Sequence, residues 1–142
     1  MNPSEFQTNA LLGTACFNIL ISLVLAWVSA FVIYGKVEWL KRRIAAPRQL
    51  VRAHIDFLMM TFLLGFAHYI IQGVDLSIPD WVIVLFCVGA VYNPSGFIVL
   101  AFAPQKANPQ STFEKVLLHA GFIPVTLGAA WVAVAFLISR FA

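Results

Sequence analysis

The stretch VRAHIDFLMMTFLLGFAHYII, residues 51–71, decides the fold. Past Arg52 it carries one acid, Asp56, and two histidines, His54 and His68, in an otherwise apolar run. At 1.5 Å per residue such a run crosses a bilayer core of about 30 Å as a helix. Working outward, three further apolar runs of similar length appear, at about 11–34, 81–103 and 116–138. Of the 142 residues, 61% are hydrophobic and 11% charged, whereas a soluble domain is roughly 45–50% apolar and 25% charged. A mean hydropathy of +0.89 leaves too few polar residues to clothe a water-facing surface. The reading is an all-α protein: an integral membrane four-helix transmembrane bundle forming one domain over 1–142. Residues 1–10 hold no Lys or Arg, so the first run is expected to stay as a spanning helix rather than be cleaved as a signal peptide.

Charge sets an expected orientation. Lys36, Lys41, Arg42, Arg43, Arg48 and Arg52 lie between the first two runs, and Lys106 and Lys115 between the last two. Basic loops 35–50 and 104–115 are therefore expected in the cytoplasm, with both termini outside and the acidic connection holding Asp75 and Asp80 also outside. A multi-pass protein of a bacterial inner membrane fits this pattern, with Trp27, Tyr34, Trp39, Tyr69 and Trp81 as interfacial anchors. Pro47 should open the second helix, after a basic extension of the first over 35–46. Ser111 with Glu114 three residues on forms a capping-box pattern for the fourth. Cys16 and Cys87 sit inside apolar runs without metal or redox spacing and read as buried small hydrophobes.

Polar groups that lipid does not explain are the candidate site. At 100° per residue, His54, Leu58, Thr61, Gly65 and His68 share a stripe about 80° wide on the second helix. Such a wall offers an imidazole for iron and a small residue for a flat macrocycle. It serves equally as a helix-packing face whose histidines reach the interfaces. His119, at the start of the last helix, is a possible second imidazole at the depth of His54 or a hydrated interfacial residue. Asp56, with Arg48 and Arg52 at four-residue steps, lies about 200° from His54, and a local Arg52–Asp56 pair is expected. In the third helix Pro94 removes an amide donor and frees the Ala90 carbonyl. Beside it, Asn93 lies between Gly89 and Gly96 and is placed to bind a substrate oxygen or another helix, facing the His54 stripe. Hydrolytic triads, phosphate loops and a nucleic-acid-binding surface are not found.

In order along the chain, Arg52-Ala53-His54 with Met59-Met60, then Asn93-Pro94-Ser95-Gly96-Phe97, then Phe102-Ala103-Pro104 and Pro124-Val125-Thr126-Leu127-Gly128 resemble the styrene oxide isomerases. These are small four-span bacterial membrane proteins that convert aryl epoxides to aldehydes. The resemblance implies a homotrimer with haem b at the subunit interfaces and His54 as the axial ligand to iron. Leu58, Thr61, Gly65, Gly96 and Phe97 would form the cofactor wall, with Asn93 touching a substrate oxygen. Ferric iron would act as a Lewis acid on a small apolar epoxide without net redox change. Two positions depart from the family: its asparagine six residues after the histidine is Met60, and its tyrosine after Gly-Phe falls on Phe97 or Ile98. Two readings from other classes stand beside this one. One is a non-catalytic haem protein of electron transfer or sensing, with His119 or His68 as second ligand. The other is a cofactor-free anchor subunit packed on a larger membrane complex.

Overall fold

The computed structural model describes residues 3–35, 37–107, 116 and 120–141. Among them are five α-helices and no strand: α1 (Pro3–Ile33), α2 (Glu38–Arg43), α3 (Pro47–Val74), α4 (Asp80–Phe102) and α5 (Phe122–Phe141), with one 3-10 turn over Pro104–Ala107. Four of them, all but α2, are long and apolar enough to cross a membrane. The chain is an integral, multi-pass, all-α membrane protein.

Local chemistry explains most of the boundaries. Pro47 opens α3 at a position where its missing N–H is no loss. Asp75 closes α3 in the left-handed conformation at φ 53°, and the amides of Asp75 and Leu76 both return to the Ile71 carbonyl. α1 begins well before the apolar run, and Gln7 in this extension donates to the Ile78 carbonyl and to Asp80, tying α1 to the entry of α4. The expected basic extension of α1 over 35–46 is not continuous helix. α1 stops at Ile33, and Glu38–Arg43 forms a separate short helix, α2. The reason is packing: Ile44 and Leu40 turn in against Leu25, Val32 and Leu50, and Ala46 N–H bonds the Ala101 carbonyl at 3.0 Å. Cys16 is exposed on the outside of α1, correcting its expected burial, whereas Cys87 is partly buried and near the Ala10 carbonyl. The capping box at Ser111 and Glu114 lies outside the described residues.

α3 and α4 form the centre, each packed on both outer helices. α1 rests chiefly on α3 and α5 chiefly on α4. The core residues recur every three and four positions. On α1 they are Leu11, Ala15, Asn18, Ser22, Leu25, Ser29 and Val32; on α5 they are Val125, Gly128 and Val132, with Gly121 buried in the turn just before the helix. This spacing keeps one narrow seam of each helix facing its neighbour, along nearly all of α1 and as far as Val132 on α5. Outside the seam stand Phe62, Phe66, Leu20 and Val24, each more than 60% exposed, as expected where lipid is the solvent.

Candidate functional site

Three polar contacts mark where the bundle departs from plain apolar packing. The first repairs the defect in α4. Pro94 cannot donate to the Ala90 carbonyl, and Asn18 of α1 does so instead through Nδ2 at 3.3 Å. Leaving a buried carbonyl unpaired costs about 1–3 kcal/mol, so this contact fixes the level at which α1 meets α4.

The second joins α1 to α3 at His54. Its Nδ1 lies 2.9 Å from the Ser22 carbonyl and 2.8 Å from Ser22 Oγ, while that hydroxyl is 3.0 Å from the His54 carbonyl. A carbonyl only accepts, so the Nδ1–Ser22 carbonyl bond requires the proton on Nδ1. The single hydroxyl proton of Ser22 then goes to the His54 carbonyl, closing a reciprocal pair. The tautomer assigned by this network leaves the Nε2 lone pair uncommitted, and Nε2 has no partner among the described residues. An imidazole whose Nδ1–H is donated to a main-chain carbonyl is the usual outer-shell arrangement of a metal-ligating histidine.

The rest of the His54 stripe flanks the α1–α3 seam. Leu58 is partly buried. Thr61 Oγ1 donates within its own helix to the Phe57 carbonyl at 2.9 Å, with the Ala15 carbonyl of α1 at 3.4 Å. A Cβ at Gly65 would meet nothing within 4 Å, so its smallness is not required by contacts inside one chain. His68 keeps a buried Nδ1 without a partner. His119 lies outside the described residues. On α4, Phe97 packs into the core cluster of Ala53, Phe57 and Ala101, and Gly96 has open space beside it. Among the described residues no three His, Cys, Asp or Glu side chains converge as a metal cluster.

The third contact overturns two expectations. Asp56 does not pair with Arg52; Asn93 Nδ2 donates to Asp56 Oδ2 at 2.9 Å, while Arg52 reaches Gln49 at 3.4 Å. Asn93 therefore faces the Asp56 side of α3 and not the His54 stripe, so within one chain Asn93 and His54 do not share a site. The cause is the helical step: two residues apart means about 200° of rotation, and α4 packs on the Asp56 side. Asp56, Met60 and Asn93 line an open groove of about 520 Å³ between α3 and α5, with Phe122, Ala129 and Ala133 opposite.

Asn18 and Ser22 carry two of the contacts that seat α1, and sequence reasoning does not single them out. Their three- and four-residue spacing with Leu11, Ala15 and Leu25 was the available signal, because polar residues on such a seam must face another helix. Comparison with protein-family models, with curated proteins and with solved structures found no match for this chain.

Proposed function

We propose that this chain is a haem b protein of the styrene oxide isomerase type, with His54 as the axial ligand. The observation that carries the reading is the Ser22 network, which fixes the His54 tautomer and keeps Nε2 free to ligate. Leu58 and Gly65 offer an apolar, close-approach surface beside it, where a second copy completes the pocket in the homotrimer the resemblance implies. His68 lies 14 residues further along the same helix, about 21 Å away, too far to ligate the same iron from within one chain. When bound, haem b would supply a ferric Lewis acid to open a small apolar epoxide to an aldehyde. The side chains would hold the iron and keep the surroundings dry. The basic α2 segment and Lys106 stand at one end of the bundle and would face the cytoplasm of a bacterium, with both termini outside.

Detergent-purified protein is expected to show a Soret band that is lost in His54→Ala and kept in His68→Ala. Protein that stays colourless after reconstitution with haem overturns the reading. A second reading, a haem protein without isomerase activity, is favoured by Met60 and by Phe97 or Ile98, which lack the oxygen atoms found at the family's corresponding positions. Conversion of styrene oxide to an aldehyde by the haem-loaded protein separates the two.

A further inference from the structure

We propose that the groove between α3 and α5 binds a protonated amine carrying a small apolar body, with Asp56 as its counter-ion. A carboxyl inside a spanning helix needs compensation, because lipid supplies none. Among the described residues Asp56 receives one hydrogen bond, from Asn93 Nδ2 to Oδ2, and its Oδ1 receives none. The cation nearest in sequence, Arg52, is exposed and turned to Gln49. An ionised carboxylate only accepts, so the Asn93 amide must offer it the NH2 group, and the Asn93 oxygen is left as a second acceptor without a partner among the described residues. Among the described residues the groove thus presents two unpaired acceptors, the Thr126 hydroxyl and no basic side chain, surrounded by Met60, Phe122, Ala129 and Ala133.

That combination selects by charge and by donor count. An ammonium group brings several N–H donors and the complementary charge, and ion pairs of this kind strengthen where water is scarce. An apolar epoxide or hydrocarbon would leave both acceptors unpaired, and a carboxylic acid would add a like charge. The volume of about 520 Å³ falls within the range of small-molecule sites. Small side chains on α5 leave room for an aryl or short alkyl body along the helix. The proposal does not rest on the haem reading, since Asp56 and His54 lie on opposite sides of α3.

The test is calorimetric titration of the purified full chain with 2-phenylethylamine, with propylbenzene and phenylacetate as neutral and anionic probes of similar size. Saturable binding of the amine alone is expected. Asp56→Asn, which keeps the shape of the side chain, should weaken it by about 30-fold or more, the scale of losing one partner of a desolvated ion pair. Ala133→Phe fills the groove from an exposed position and should abolish binding even if Asp56→Asn fails to fold. Amine uptake that never saturates, or that persists unchanged in Asp56→Asn or in Ala133→Phe, overturns the proposal.

Discussion

The two outer helices are attached to the same central pair by different means. α1 is held through polar side chains: Asn18 on the Ala90 carbonyl, Ser22 on His54, and Gln7 on Ile78 and Asp80. α5 is held by apolar packing, with Val125 and Val132 in the core, Trp131 edge-on to Trp81, and glycines at the closest approaches. A Cβ at Gly89 would collide with the Val125 backbone, one at Gly128 with the Phe86 side chain, and one at Gly121 with Asn93 Cα. Among the described residues no α5 side chain hydrogen-bonds another helix. Lipid offers no hydrophobic drive for helices to associate, so contact must come from close packing or from hydrogen bonds, and this bundle uses one on each side. The polar side fixes register at single atoms. The glycine side leaves a shallow flank, and there the Asp56 groove opens.

The largest effect expected is on the glycine side. Gly89→Leu or Gly128→Leu should destabilise the bundle by about 3 kcal/mol, the upper range for overpacking, and be seen as an early loss of the monodisperse peak on heating in detergent. Unchanged melting would mean that α5 is not seated as described. Next, Asn93→Leu strips Asp56 of its one donor and should cost about 2 kcal/mol, read from the melting temperature. The double variant with Asp56→Leu should recover most of that, because removing both partners costs less than orphaning one. On the polar side, Asn18→Leu should cost about 1 kcal/mol by leaving the Ala90 carbonyl bare. Adding Pro94→Ala restores an amide that reaches that carbonyl within α4, so the double variant should lose less than Asn18→Leu alone. The smallest effect is predicted for Gly65→Ala, within about 0.5 kcal/mol, since nothing lies within 4 Å of the added atom. A large loss of haem absorbance in that variant, without loss of stability, would instead identify Gly65 as part of the cofactor wall.

Four spans were legible because length and apolarity report them directly, and Pro94 announced a free carbonyl by chemistry alone. The partners of the polar residues were less legible. His54 and Asp56 must face apart, since two helical steps rotate them by about 200°. Which of them meets α1 and which meets α4 cannot be read from their own helix, because Phe62, Phe66 and Met59 on the lipid side are as apolar as Phe57 and Leu64 inside. In water, amphipathicity would have pointed to the buried face; in lipid that contrast disappears. The Arg52–Asp56 pair was expected from four-residue spacing, which brings side chains near without compelling them to bond. The structure gives Asp56 an amide from the neighbouring helix instead.

Residue type and local order are enough to set the solvent, the number of crossings, the helix class and the places where the backbone lacks a donor. That Ser22 orients the imidazole of His54, and that Asn93 and Asp56 meet beside a groove, depends on how the helices pack. Those pairings join residues 32 and 37 positions apart. They follow from which seams interdigitate once glycine on one side and polar side chains on the other let the helices close.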